Sequence, residues 1–341
     1  MATRPLLSIV SPVYNERETI ERLLAEIQQF FREQLSDAFD FEVLFVDDGS
    51  TDGSTEVLNQ LSREHDNVRV VVLSRNFGHQ AAISAGYHYA SGDAIVTMDS
   101  DLQHPVALVG EMLNRWRDGY DVVYAARDCS HGGLLKKACS RGFYRVFNFL
   151  SPTKILPGGA DFRLVTRNVA EALNQMPERC RFLRGLIPWL GFRSIEIPYT
   201  PRPRAAGEPK YNFFRSLGLG ITALTSFSLA PLRGALILGA FFLLVSFVYL
   251  TYCLIDWLSG GSVVHGWPSI VALIVLTQGM MLLAFGMQAE YLARIVLEVK
   301  RRPEYVVREV VGAIPPSRTG RKDAPENPIG QTEQEPGETT T

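Results

Sequence analysis

Two long stretches without a charged side chain constrain this chain more than any other feature. Between Arg233 and Asp256 lie 22 consecutive uncharged residues, and between Asp256 and Glu290 lie 33. A helix rises about 1.5 Å per residue, so ~20 residues cross a hydrocarbon core of about 30 Å. Gly260, Gly261, Gly266 and Pro268 interrupt the second stretch. Two spans are therefore expected, near 234–255 and 268–289, joined by a short turn. Two buried helices of a water-soluble protein are the alternative, but uninterrupted apolar helices of this length are rare in water. Lys210, Arg215 and Arg233 precede the first span, and Arg294, Lys300, Arg301 and Arg302 follow the second, whereas the connecting turn has no Lys or Arg. By the positive-inside rule both flanks, and the 200 or so residues ahead of them, are expected on the cytoplasmic side. Segment 211–229 mixes Phe213, Phe214, Leu217 and Phe227 with polar residues and is expected to form helices lying along the membrane surface, with an ordinary core segment as the alternative.

Composition narrows the remaining possibilities. Hydrophobic residues make up 46% of the chain, in keeping with lipid burial, and a formal net charge of −2 gives no whole-molecule attraction to nucleic acid. Cys129, Cys139, Cys180 and Cys253 form no CxxC pair, which excludes a zinc-ribbon or disulfide framework and leaves reduced thiols. The first apolar run is too short for a signal peptide and reads as a strand.

Ahead of the spans, β-rich runs at 7–10, 41–46, 68–73, 94–98, 122–125 and 195–197 alternate with amphipathic stretches. That alternation predicts a mostly parallel α/β sheet covered by helices. Ile20, Leu23, Leu24, Ile27 and Phe31 share one helical face, and Asn15 with Glu18 resembles a capping box. Further helices are expected at 55–64, 80–90, 106–118, 134–150 and 168–175. The residues from 312 to 341 are rich in Pro, Gly, Glu and Thr, and cannot bury enough apolar surface to order themselves. The expected organisation is thus a cytosolic domain over 1–209, juxtamembrane helices over 210–232, the two spans within 233–292, a cytosolic segment over 293–311 and a disordered tail over 312–341.

Open parallel sheets bind ligands beyond the carboxyl ends of their strands. Acidic groups recur there: Asp47-Asp48-Gly49-Ser50 after the second run, and Asp99-Ser100-Asp101-Leu102-Gln103 after the fourth. Either motif alone could be a turn former or a helix cap. Together, and with Pro12-Val13-Tyr14-Asn15-Glu16 after the first run, they suit a nucleotide diphosphate. The leaving diphosphate gains charge as its bond breaks, and a hard cation held by a few oxygens neutralises it. Asp99, Asp101 and the Gln103 amide are the candidate ligands for Mg2+ or Mn2+, while Asp47 or Asp48 would accept hydrogen bonds from base or ribose. No GxGxxG follows the first strand, which disfavours a dinucleotide-dependent dehydrogenase.

The segments SPVYNE (11–16), VDDGSTDGS (46–54), LSRNFGHQAAISAG (73–86), MDSDLQHP (98–105) and GADFRLV (159–165) resemble, in order, the motifs of family 2 glycosyltransferases of the GT-A fold. More narrowly, residues 6–305 are similar to bacterial polyisoprenyl-phosphate glycosyltransferases and to dolichol-phosphate mannose synthases. The resemblance implies inverting transfer of a hexose such as glucose, from a nucleotide sugar that is UDP-linked, onto polyisoprenyl (undecaprenyl) phosphate at a bacterial cytoplasmic membrane. It implies that Pro12, Tyr14, Glu16 and Asp48 hold the nucleoside and that Asp99, Asp101 and Gln103 organise the metal diphosphate. Val46, Asp47, Asn76 and Arg127 complete the expected donor set. Asp161 matches the position of the family's proposed base, and Asp101 is the second candidate catalytic carboxylate. The QxxRW sequence of processive polysaccharide synthases is absent, which favours single transfer.

A lipid phosphate needs cationic partners near the membrane, and Arg127, Arg163, Arg204 and Lys210 are the candidates, with Pro209 standing where the family commonly has a small hydroxyl residue. A solvated basic rim explains Arg202 and Arg215 equally well. Lys136, Lys137, Arg141 and Arg145 recur beside Phe143, Tyr144 and Phe147, a pattern shared by lipid-surface contact and a plain solvated face. His79 is read as part of the donor loop, and His88 and His104 as structural. Gly234, Gly239, Gly279 and Gly286 would let helices of several copies pack closely in a homo-oligomer. Two competing readings remain: transfer to a polysaccharide or another acceptor, and a non-catalytic membrane scaffold or flippase component.

Overall fold

The computed structural model describes residues 4–127, 159–178, 181–202, 230–259 and 267–312. Strand β1 (Leu6–Val13), helix α1 (Arg17–Gln34), β2 (Asp40–Asp47), α2 (Ser54–Glu64) and β3 (Val68–Leu73) come first. Then follow α3 (His79–Tyr89), β4 (Ala94–Thr97), α4 (Leu108–Arg117), β5 (Val122–Arg127), β6 (Gly159–Thr166) and α5 (Arg167–Gln175). Helix α6 (Leu183–Trp189), β7 (Ser194–Tyr199), two long helices α7 (Ala230–Leu258) and α8 (Trp267–Val299), and β8 (Val307–Val311) complete the order.

The described strands form one sheet in the order β7-β5-β6-β4-β1-β2-β3-β8. Pairs β1–β2, β1–β4, β2–β3 and β5–β7 are parallel, whereas β6 runs antiparallel to β4 and β5, and β8 antiparallel to β3. The central strands read as near-continuous Val, Ile, Leu and Phe because helices cover both faces. One face is packed by α1, α2 and α4 through Leu23, Ile27, Leu58 and Met112, and the other by α3, α5 and α6 through Ala82, Ile83, Val169 and Ile187. Helix α3 lies so close to β1 that a Cβ on Gly86 would stand 2.2 Å from Val10 Cγ1.

A buried polar staple ties the amino ends of the strands together. Glu42 on β2 is 1% exposed; it accepts from Ser8 Oγ of β1 at 2.5 Å, from Arg69 Nη1 of β3 at 3.1 Å and from the Ser91 amide at 2.6 Å. Every partner is charged or hydrogen-bonded, which is what lets a carboxylate survive there.

Several expectations change. The Asn15–Glu18 capping box does not form: α1 starts at Arg17 with no side-chain cap, and Asn15, at φ 54°, accepts a hydrogen bond from the Thr51 amide instead. Strands β6 and β8 and helix α6 were not anticipated, because β6 lies within a segment recognised only as a motif and the other two are short. Among the described residues one helical segment, Leu276–Val299 with mean hydropathy 1.4, is long and apolar enough to cross a membrane; the apolar run of α7, Ile237–Tyr249, is shorter. A two-span anchor is therefore not established, and the candidate span sits further along the chain than 268–289. The expected helix at 134–150, the segment 211–229, Arg204, Lys210 and the tail beyond Gly312 lie outside the described residues.

Candidate active site

Strand β1 has β2 on one side and β4 on the other, and at such a reversal of strand order an open parallel sheet offers a crevice beyond its carboxyl ends. The loop after β4 enters it. Ser100 Oγ donates to the Pro12 carbonyl at 3.1 Å, the Asp99 amide donates to His104 Nδ1 at 3.0 Å, and the Gln103 amide donates to Asp101 Oδ1 at 3.1 Å. Leu102 sits at φ 61° with its side chain buried in the core. A bulky residue in the left-handed region costs about 1–3 kcal/mol, and here burial of the side chain holds it. That plug turns Asp99 and Asp101 onto one short loop.

Asp99 Oδ1 is buried with no hydrogen-bond partner, and its nearest charged neighbour is His79 Nε2 at 3.5 Å. His104 is the more buried imidazole. It stacks on Phe162 at 4.6 Å between ring centroids, and burial first of all pushes its pKa down, against the pull of Asp99. Because Nδ1 accepts from the Asp99 backbone, the neutral ring fixes the loop rather than acting as a remote core residue.

The loops after β2 and β3 are locked together. Asp47 is fully buried; Oδ1 accepts from the Ser50 amide at 2.9 Å and Oδ2 from Thr55 Oγ1. Asp48, 3% exposed, accepts from the Phe77 amide at 2.7 Å and the Gly78 amide at 3.0 Å; burial raises its pKa, and the two amides pull it back only in part. Gly49 between these loops has φ 70°, and a Cβ there would lie 2.5 Å from the Arg75 carbonyl carbon.

Asp161, on antiparallel β6 and 5% exposed, is gripped by three side chains. Arg163 Nη2 donates to Oδ1 at 2.5 Å; Arg184 grips both oxygens, Nε to Oδ1 at 3.1 Å and Nη2 to Oδ2 at 2.9 Å; His79 Nε2 stands 3.2 Å from Oδ2. Burial opposes its charge, but the His79 hydrogen bond and the two guanidinium groups hold its carboxyl well below the ordinary 3.8. Reciprocally, burial would lower His79, yet the Asp161 hydrogen bond and Asp99 bring its pKa above the ordinary 6.5. His79 thus bridges the two acidic loops, Asp99 on one side and Asp161 on the other.

The sequence-derived candidates divide accordingly. Asp99, Asp101, Gln103 and Asp161 come to one crevice, with Arg127 at its rim, where Nε donates to Tyr199 Oη at 3.1 Å. Tyr14 and Asn76 are exposed and Glu16 is half-buried on the loops flanking it. Val46 and Pro12 are buried within the sheet, so only their backbone can face a ligand. Asp47 has both oxygens engaged by its own turn. Arg163 is corrected: 1% exposed and paired with Asp161, it is enclosed rather than offered to an acceptor phosphate. Arg184 lies outside the sequence-derived set, His104 is structural as expected and holds the loop after β4, and His79 reaches Asp161 as well as Asp99; the trace of Arg184 in the sequence is a polar residue set among the buried Leu183, Gly185, Leu186 and Ile187.

Among the described residues no three His, Cys, Asp or Glu side chains form a ready-made metal cage. That does not disqualify a divalent ion: Mg2+-type sites use one or two carboxylates and complete their shell with substrate phosphates and water. Asp99 Oδ1, which accepts no hydrogen bond, together with Asp101 and Gln103 on the same loop, is a donor set of that kind. A separate cavity of about 550 Å³, lined by Gln28, Phe31, Arg32, His65 and Asn67, lies at the opposite end of β2 and β3, away from these groups.

A family model described as glycosyl transferase family 2 matches residues 8–173. A bactoprenol glucosyl transferase of Shigella phage SfII is 36% identical over 304 residues, covering 89% of this chain and 97% of that protein. An uncharacterized glycosyltransferase of Bacillus subtilis is 39% identical over 307 residues, covering 89% and 94%. Among solved structures, a mannosyltransferase from Pyrobaculum calidifontis in complex with GDP-Man and Mn2+ aligns over 87% of this chain and 88% of its own, with TM-score 0.43 and 18% identity.

Proposed function

Since the chain belongs to glycosyl transferase family 2 and is a glycosyltransferase, we propose that it moves a hexose, with glucose the first candidate, from a UDP-linked donor onto polyisoprenyl phosphate at the cytoplasmic face of a bacterial membrane. Membership of an enzyme family sets aside the scaffold reading. The observation that carries the proposal is the meeting of Asp99, whose Oδ1 accepts no hydrogen bond, and the Asp161 cluster across His79 in one crevice. The bactoprenol glucosyl transferase relative supports the acceptor class and the sugar.

In this reading Asp99 and Asp101, with the Gln103 side-chain amide, would hold Mg2+ or Mn2+. When bound, the ion neutralises charge that develops on the departing diphosphate. Tyr14, Glu16 and Asn76 line the nucleoside side, and Asp48 keeps the loop after β3 in place for it. The acceptor oxygen attacks the anomeric carbon from the face opposite the diphosphate, the C1–O bond to the diphosphate breaks, and the configuration inverts. A phosphate monoester has its second pKa near ~6, so at neutral pH the attacking group is already largely dianionic and needs no strong base. Asp161, with its acidity enforced by Arg163, Arg184 and His79, is then a positioning carboxylate rather than a proton acceptor. Arg127 and Arg184 sit where they can guide the phosphate inward, with Arg204 and Lys210 supplying further charge from outside the described residues. The bilayer is met by α7 and α8 as a two-span hairpin, whose Phe241, Leu243, Phe247, Leu283 and Phe285 are all more than half exposed. The open faces around Gly234, Gly239, Gly279 and Gly286 leave room for a second copy.

The test is direct. Full-length protein, labelled UDP-glucose and undecaprenyl phosphate should yield a labelled lipid, and Asp99→Ala or Asp101→Ala should lower turnover at least about a hundredfold. Activity that survives complete chelation removes the metal from the scheme, and transfer only to a polysaccharide removes the lipid acceptor.

A further inference from the structure

Helix α8 ends abruptly. Arg301 takes a left-handed φ of 48°, its amide donating to the Glu298 carbonyl at 3.1 Å, and Pro303 follows. Glu304 comes five residues after Val299, and directly beyond it the Ser74 amide donates to the Val306 carbonyl at 2.9 Å and β8 pairs with β3. Glu304 therefore stands in the chain between the end of the long apolar helix and the last strand of the sheet.

That carboxylate reaches two elements at once. Oε1 accepts from Ser84 Oγ of α3 at 3.1 Å, and Oε2 lies 3.3 Å from Arg181 Nε, each side chain of this pair being 13% exposed. Arg181 also donates through Nε to the Glu178 carbonyl at 3.2 Å and through Nη2 to the Met176 carbonyl at 3.0 Å, which ties it to the end of α5. Gln80 Oε1 accepts from the Leu183 amide at 3.2 Å, joining the beginnings of α3 and α6. These elements carry the two groups that converge on Asp161 from outside β6: His79 opens α3, and Arg184 lies on the first turn of α6.

We infer that Glu304 is a positioning residue that clasps α3 to the segment entering α6 and so registers His79 and Arg184 on Asp161, coupling the catalytic crevice to the end of the membrane helix. This rests on reading the crevice as the glycosyl-transfer site and α8 as the anchor. A pair nearly closed to solvent can hold such a register better than an exposed one, because water screens it less. Small misplacements of positioning groups are costly, since catalysis of this kind depends on orientation.

The experiment uses full-length wild type, Glu304→Gln and Glu304→Ala in detergent micelles. Backbone hydrogen exchange is followed by peptide, alongside transfer from UDP-glucose to undecaprenyl phosphate. Both variants should exchange faster in 79–89 and 181–189 with β1 and β2 unchanged, and kcat should fall about tenfold at an unaltered KM for UDP-glucose. The Gln variant keeps the side-chain volume while removing the charge and one of the two acceptor oxygens, so it decides the matter even if the Ala variant does not fold. Unchanged exchange in both segments, a uniform rise across the sheet, or full kcat in a variant with loosened segments would each overturn the inference. If wild type transfers nothing to this lipid, the functional reading fails, while the exchange profile still decides whether the clasp exists.

Discussion

Asp161 shows how a residue's surroundings decide what its chemistry can be. A carboxylate with two guanidinium groups and an imidazole around it is a poor proton acceptor, because taking a proton forfeits all three interactions. The same arrangement predicts a stability effect. Its folded pKa is depressed, so it stabilises the fold at pH above the ordinary 3.8 and loses that contribution as pH falls through the lower folded value. Asp161→Asn should therefore cost about 3 kcal/mol or more at neutral pH, chiefly by leaving buried Arg163 without its counter-charge. Denaturant unfolding of both proteins at pH 7 and at pH 3 should show the gap narrowing at the acid end; an equal gap at both would contradict the assignment. Asp161 and Asp99 could be picked out from motifs alone. Their partners could not, since His79 and Arg184 approach from 82 and 23 residues away along the chain, and no local spacing encodes that meeting.

Among the elements, the sheet order places the crevice and tight packing maintains it. Gly86 on α3 leaves no space for a methyl group over Val10. Gly86→Ala should destabilise by about 1–3 kcal/mol through overpacking. Because α3 carries His79, turnover should also fall; thermal unfolding and transfer kinetics on the same preparation would check both. Gly49 is constrained twice, by φ 70° and by the Arg75 backbone behind it. Gly49→Ala is accordingly expected to push apart the loops after β2 and β3 and to raise KM for the nucleotide sugar by about tenfold or more, since a misplaced binding loop loses part of its contacts; unaltered donor KM would remove that loop from the donor site. The strands of the parallel core were legible as unbroken apolar runs. Strands β6 and β8 were not, because an antiparallel edge or insertion depends on partners remote in sequence rather than on its own pattern. The same reason hid β8, whose residues look like a short tail after a membrane helix.

For the molecule as a whole, the positions of Lys and Arg around the two charge-free stretches predict that residues before α7 and after α8 lie on one side of the bilayer. Tags placed at each terminus of the full chain should both be protected in sealed right-side-out vesicles and both be accessible in inverted ones, and the protein should stay in the membrane pellet after alkaline carbonate extraction. Opposite accessibility of the two tags would reduce the hairpin to a single span, with Leu276–Val299 the segment that meets the length and hydropathy a span requires among the described residues. The pairing of β8 with β3 agrees with the same-side arrangement, because a strand that completes the sheet cannot be across a membrane from it. By itself the sequence determined the layered α/β class, the acidic strand ends and the apolar segments, all of which arise from local periodicity and composition. Only the tertiary structure decided that β6 and β8 run antiparallel, that Arg163 is enclosed, that His79 and Arg184 meet on Asp161, and that Glu304 reaches Ser84 and Arg181. Those outcomes depend on long-range packing and on which charges are left without water, and neither is written in any short stretch of chain.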